Sequence, residues 1–307
     1  MAKEAGFSIP PVERILPTMT ADPWRQISGD FLQLEGLCFD RHGSLHFVEV
    51  FGGTIFVMDM ASGKLRTIET AAGLMPTAIK IHKDGRLFAC CVGNFTDGRI
   101  LSMAPDGSNP NVEVEGYTVD DMVFDSTGGF YFTDFVGEAL RPTGGVYYAP
   151  ADGGEIKTVM PNMAGPNGVA LSVDERSLWV TETNANRLHL VELSADRVSA
   201  EPYGTCIPYR FTGHLGPDSC CIDAAGNLYV AMYEQGRVLI FNPSGVPVAQ
   251  VLVPGREQGH MLRTTHPVLI PGTDELIICA NDHDRGGGAW LFRAKGLAKS
   301  HLSYQFK

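Results

Sequence analysis

No stretch of the chain approaches the roughly 18 consecutive apolar residues that a membrane-spanning helix requires, which argues against a membrane as partner. The opening residues, Met1–Pro11, hold no basic segment followed by an apolar one, so no secretory leader is read there and a cytoplasmic protein is expected. Basic residues are scarce: 24 Lys and Arg stand against 35 Asp and Glu, a formal charge of -11, and no Lys/Arg cluster appears. Nucleic acid is therefore not expected as a partner, because phosphate contacts demand a basic face. The seven cysteines (Cys38, Cys90, Cys91, Cys206, Cys220, Cys221 and Cys279) are odd in number and contain no Cys-x-x-Cys pair, which argues against a zinc or disulfide framework and suits reduced thiols. His-Glu-x-x-His and Gly-x-Ser-x-Gly are both missing, so zinc-protease and serine-hydrolase readings fail. Helical periodicity of useful length is absent as well.

What is present is a repeat. An apolar run, a polar turn and a second run opening on Leu or Phe recur six times in the 307 residues. The copies begin at Glu35, Thr77, Asp120, Asn167, Asp218 and, more loosely, His266, and their second runs are anchored by Leu45, Leu87, Phe130, Leu178, Leu228 and Leu276. A third run follows in each, at Thr54–Met58, Arg99–Met103, Gly145–Tyr148, Arg187–Leu190, Arg237–Ile240 and Ala289–Phe292. Short runs rich in β-branched and aromatic residues, divided by Gly, Asp and Asn turns, are strand-and-hairpin chemistry. A repeat of about 40 to 50 residues is the mark of propeller blades. The expectation is an all-β, six-bladed β-propeller spanning 1–307 as a single domain, closed by a strand from Val12–Thr18 or Leu302–Phe306.

In such a ring the first strand of each blade lines the channel, so one repeat position from every blade points to one place on the axis. That position holds Glu35, Thr77, Asp120, Asn167, Asp218 and His266, with Thr265 as the alternative sixth occupant. Five of the six offer oxygen. Glu, Asp, Asn and Asp are a donor mixture for a hard divalent cation such as Ca²⁺, whereas a merely wet channel leaves converging carboxylates unexplained. His266 is read as a hydrogen-bonding wall residue that could support a substrate. Oxygen sites with one histidine also accept Mg²⁺, Mn²⁺ or Zn²⁺.

At these residues the chain resembles the senescence-marker-protein, gluconolactonase and luciferin-regenerating-enzyme-like family of six-bladed propellers. Leu34-Glu35-Gly36-Leu37, Gly165-Pro166-Asn167-Gly168 and Gly216-Pro217-Asp218-Ser219 look like its metal-site motifs. The bacterial drug-responsive lactonases are the most similar subgroup, through Ala78–Leu87, Asp120–Asp125, Phe211–His214, Gly259–Arg263 and Thr265–Pro267. The resemblance implies a catalytic Ca²⁺ held by Glu35, Asn167 and Asp218, with Asp120 and Ser219 close enough to ligate it or to touch substrate. It further implies Asp218 as acid/base in opening a lactone or similar cyclic ester. The subgroup's second, structural cation site is built from loops that look shorter here, Gly93–Gly98 and Asn111–Thr118, so one cation is expected.

A second set lies four residues beyond the anchors and includes Glu49, Asp134 and Glu182; such carboxylates brace strand ends, and a substrate-shaping role for Asp134 or Glu182 is the sharper alternative. The loops that follow carry Phe51, Phe95, Phe135, Tyr233 and Arg285 and should form the pocket mouth, favouring a partly apolar small-molecule substrate. Asp120, His266, Asp134 and Phe135 are the substrate-binding candidates. Asp282–Gly288 resembles a calcium loop but lacks its bidentate Glu and reads as a glycine-rich hairpin. Two rivals stand beside the lactonase: a phosphotriesterase, since diisopropylfluorophosphatase-like members share the ring, and a non-catalytic binding scaffold.

Overall fold

The computed structural model describes residues 8–213 and 215–307, with the backbone alone at residue 284. Residues 1–7 of the Met1–Pro11 stretch and His214 of the Phe211–His214 stretch lie outside the described residues. Within them the chain is all-β and propeller-like, its sheets set in a ring. Regular structure consists of 25 strands, one four-residue helical turn and five 3-10 turns. Among the described residues no helix is long and apolar enough to cross a membrane.

The innermost strands are Leu34–Phe39, Pro76–Ile81, Val119–Phe124, Pro166–Leu171, Pro217–Ile222 and Arg263–Leu269. They touch one another in that order, and the last returns to the first, which closes the ring. Each pairs antiparallel with a second strand that opens at or next to its predicted anchor: Leu45–Glu49, Leu87–Cys91, Phe130–Asp134, Ser177–Glu182, Leu228–Met232 and Glu275–Asn281. Third strands occupy Thr54–Met58, Arg99–Met103, Gly144–Ala149, Arg187–Glu192, Arg237–Phe241 and Ala289–Lys295. Outer strands, unread in the sequence, complete the set at Leu65–Glu69, Asn111–Glu115, Lys157–Met163, Cys206–Arg210 and Pro247–Leu252.

Period-two alternation on the second strands explains why the sheets stack. Tyr131 enters the apolar cluster with Leu178 and Val180, whereas Phe130 and Phe132 on either side of it enter the cluster with Phe88 and Ile100. Trp179 likewise faces Leu228 and Val230 while its neighbours Leu178 and Val180 face back. Every second strand is thus apolar on both faces, and the core lies between sheets. Each fully buried Leu, Ile or Phe contributes about 1.5–3 kcal/mol.

Three expectations change. Hydrogen bonding gives five sheets rather than six, because one sheet of eight strands joins two four-strand units. The junction is a single parallel pair, Gly36 with Ala78. Closure uses Asp22–Ser28, antiparallel to Ala289–Lys295, while Thr18–Thr20 adds a parallel edge to Pro247–Leu252. Leu302–Phe306 makes no strand: Tyr304–Phe306 is a 3-10 turn, and residues 303–307 line a cavity of about 130 Å³ with Phe39, Phe124, Leu171, Ile222 and Leu269 from the far ends of the inner strands. Asn111–Glu115, expected as loop, is an edge strand exposed except at Val114.

Candidate active site

All six inner strands break register near their first residues. The shifts fall between Glu35 and Cys38, Pro76 and Ala78, Val119 and Met122, Pro166 and Val169, Pro217 and Cys220, and Thr264 and His266. Each inserts one extra residue, a β-bulge that re-aims side chains and bends the strand. Glu35, Thr77, Asp120, Asn167, Asp218 and Thr265 lie at or inside these bulges. The sixth ring position therefore belongs to Thr265, and His266 stands one residue deeper.

The two threonines do not face the axis as free donors. Thr77 Oγ1 donates to the Asp120 carbonyl (2.8 Å), and Thr265 Oγ1 to that of Leu34 (2.6 Å). Thr133 and Thr181 on second strands do the same toward the carbonyls of Asn167 (2.6 Å) and Asp218 (2.7 Å). These four hydroxyls tie neighbouring blades together at the level of the ring. Glycine permits the tight approach: a Cβ on Gly36, whose φ is +64°, would lie 2.6 Å from Ala78 Cα, and one on Gly168 2.7 Å from Cys220 N.

Glu35, Asp120, Asn167 and Asp218 remain as the oxygen donors, each only 5 to 7 % exposed. Asp218 is held by the Asn167 amide, the Ser219 N–H and a hydrogen bond with Glu35. Ser219 Oγ donates to Asn167 Oδ1 at 3.4 Å. Burial, followed by the charges of Asp218 and Asp120, pushes the Glu35 carboxyl well above its ordinary value. Burial and the charges of Asp218 and Asp121 do the same to Asp120. Asp218 is driven up by burial and restrained by its hydrogen bonds, reaching about 7.

His266 is 2 % exposed, and its Nδ1 lies 3.5 Å from Glu35 Oε2 without a hydrogen-bond partner. Burial and then the nearby Lys80 charge hold it far below its ordinary value, so it is neutral. Among the described residues no three His, Cys, Asp or Glu side chains are grouped as a ready metal cage.

The structure thus brings together Glu35, Asp120, Asn167, Asp218, Ser219 and His266. Asp134 and Phe135 lie at the end of a second strand, Asp134 opposite Val119 and the Phe135 ring beside Gly165. The Asp134 carboxylate accepts the Thr118 N–H (2.8 Å) near Tyr117 and Tyr147, and the half-buried Phe135 donates its N–H to the Thr118 carbonyl. Glu182 also accepts a backbone N–H, from Ala164 at 2.7 Å, and Glu49 accepts that of Phe51. Phe51 and Phe95 are exposed, and Tyr233 lies under the Arg263 guanidinium. Asp282–Gly288 contains the 3-10 turn His283–Arg285, and the Asp282 carboxylate that precedes it gathers His260 Nδ1 and the N–H groups of Met261 and Gly287. Sequence reasoning gave no role to Asp121 or Lys80, which pair beneath the carboxylates; the adjacent acids Asp120-Asp121 were the available signal.

Residues 34–265 match the family model described as the SMP-30/Gluconolactonase/LRE-like region. The chain is 56% identical over 303 residues to lactonase drp35 of Staphylococcus saprophyticus, covering 97% of this chain and 94% of that protein. Lactonase drp35 of Staphylococcus aureus is 53% identical over 300 residues, covering 96% and 93%. Among solved structures, regucalcin from Agrobacterium tumefaciens, a calcium-binding protein, superposes with a TM-score of 0.75 at 18% identity, covering 93% of this chain and 99% of that one. A gluconolactonase from Xanthomonas campestris gives 0.70 at 17% identity, covering 95% and 98%.

Proposed function

The chain belongs to the SMP-30/gluconolactonase/LRE-like family, and from that premise we propose that it is a hydrolase that opens lactones or similar cyclic esters at the oxygen-lined end of its ring. One divalent cation, Ca²⁺, would be held there by Glu35, Asn167 and Asp218, with Asp120 and Ser219 alongside. The ring is counted as six blades, since the eight-stranded sheet divides at a single residue pair and six inner strands follow one another round the axis.

The observation that carries this reading is the convergence of Glu35, Asp120, Asn167 and Asp218 in bulges at one level of four different inner strands. Burial raises all three carboxyls, and neighbouring acidic charges add to it, an arrangement that a hard, oxygen-seeking cation would relieve. Proteins named lactonase that are more than half identical along nearly the whole chain direct the choice toward cyclic esters. When bound, the cation supplies Lewis acidity that polarises the ester carbonyl and stabilises the negative charge forming on its oxygen.

The rest falls to the chain's own groups. Asp218, poised near neutrality, removes a proton from the attacking water and returns it to the ring oxygen as the acyl C–O bond breaks, leaving a hydroxy acid. Asn167 and the Ser219 N–H keep the Asp218 carboxylate in place. Neutral His266 lines the wall beside Glu35 without adding a charge, and Asp120 faces the substrate. The exposed Phe51 and Phe95 suit a partly apolar lactone. Seven free thiols suit a reducing, cytoplasmic setting.

The test is a panel of lactones and organophosphates assayed after chelation and again after individual cations are restored. Lactone turnover that chelation abolishes and Ca²⁺ restores is expected. Turnover of organophosphates alone would assign a phosphotriesterase, and inertness toward the whole panel in every cation would leave a binding scaffold.

A further inference from the structure

Beneath the carboxylates lies an ion pair, fully buried on its acidic side and partly buried on its basic side, that the hydrolysis does not use. Lys80, on the inner strand Pro76–Ile81, places Nζ 2.7 Å from Oδ1 of Asp121, whose side chain is fully buried. Asp121 is the second residue of the bulge that carries Asp120. Ordinary strand alternation would send the two acids to opposite faces; the bulge keeps both in the cluster. Asp121 is fixed there by the Met122 N–H at 2.8 Å and faces the Val169 N–H of the next inner strand at 3.4 Å.

Asp121 is therefore a fourth buried acid beside Glu35, Asp120 and Asp218. Asp121 acts electrostatically on the other three, and Lys80 opposes it at Asp120. Lys80 also lines the cavity on the far side of the ring, so its ammonium stands between that cavity and the oxygen donors. A site's affinity for a hard cation follows the number of negative charges offered to it. A charge placed nearby changes that affinity in proportion to the charge of the ion, so a trivalent ion feels it more than a divalent one.

We propose that Lys80 is a positioning residue that sets the charge of the axial site: by neutralising Asp121 it fixes the affinity for a cation and the preference for divalent over trivalent ions. This rests on the reading that the ring holds a cation. A pair that only stapled two inner strands together would make no such demand. Its loss from either side would loosen the ring and weaken binding alike.

The two roles separate in a double-mutant cycle read by calorimetric titration of Ca²⁺ and of Tb³⁺ into the chelator-treated full chain at one pH and ionic strength. Lys80→Met should tighten Ca²⁺ binding by about threefold to tenfold and Tb³⁺ binding by more, while Asp121→Asn should weaken both by a similar factor. The double variant and Lys80→Arg should each fall within about threefold of the parent. Weaker binding by Lys80→Met, in the same direction as Asp121→Asn, overturns the proposal. Should Lys80→Met melt below the titration temperature, the double variant decides: near-parental affinity supports charge setting, and a loss of tenfold or more refutes it. Absence of cation binding by the parent protein would overturn the cation reading along with this one, whereas parental binding with same-sign losses overturns this one alone.

Discussion

Asp218→Asn should produce a protein that has lost turnover and gained stability. The ordinary value for the group is 3.8, and burial lifts it to about 7 in the fold. An acid whose folded value lies above its unfolded one destabilises the fold once ionised. The penalty is absent below about pH 4, grows as pH rises toward 7 and is constant beyond. A shift of about three pH units corresponds to at most ~4 kcal/mol at 1.36 kcal/mol per unit. Coupling to the neighbouring Glu35 spreads that penalty over more than one group, so ~1–3 kcal/mol is the share expected at Asp218. Asparagine keeps the shape and can still accept from Ser219 N–H and Glu35 without being ionised. In chelator at pH 8 the variant should melt about 3–8 °C above the parent, and near pH 4 the two should converge. With cation restored, lactone turnover should fall by about 10²- to 10⁴-fold, the loss of a positioned acid/base. Scanning calorimetry at both pH values and a lactone-opening assay read the two halves. A variant that melts below the parent at pH 8, or that turns over at a comparable rate, would refute the reasoning.

Gly36→Ala should cost about 2–5 kcal/mol, because the new Cβ meets Ala78 Cα at 2.6 Å from a left-handed backbone; a urea midpoint within error of the parent would contradict this close approach. Glu13→Ala removes the partner of Arg237, which is wholly buried, and should destabilise by about 3 kcal/mol in thermal unfolding. An unchanged melt would mean that the N-terminal segment does not hold that guanidinium. Asp134→Asn can still accept the Thr118 N–H, so kcat/KM on a lactone should stay within about threefold; a hundredfold loss would make Asp134 a substrate residue instead.

The parts of the fold that were legible in the sequence are those buried on both faces. Phe130-Tyr-Phe-Thr-Asp134 and Leu228-Tyr-Val-Ala-Met232 are buried without interruption and largely apolar because each side packs a neighbouring sheet, and their anchors stand out. Outer strands such as Leu65-Arg-Thr-Ile-Glu69 bury a single residue, so they give little apolar signal and went unread. The closing strand Asp22-Pro-Trp-Arg-Gln-Ile-Ser28 is mostly exposed for the same reason. Glu35, Asp120, Asn167 and Asp218 could be found because one position per repeat converges in a closed ring. His266 was placed one residue off because the single extra residue of a bulge shows in cross-strand register, which composition does not record. Asp121 escaped for a related reason: alternation assigns it away from Asp120, and only the bulge reunites them.

The central claim is that the oxygen ring holds one cation, and anomalous diffraction from crystals grown with Ca²⁺, collected at long wavelength, tests it most directly. A single strong peak on the axis among Glu35, Asn167 and Asp218 is predicted. Crystals that diffract well and show no such peak, or show one only elsewhere on the molecule, would contradict the account.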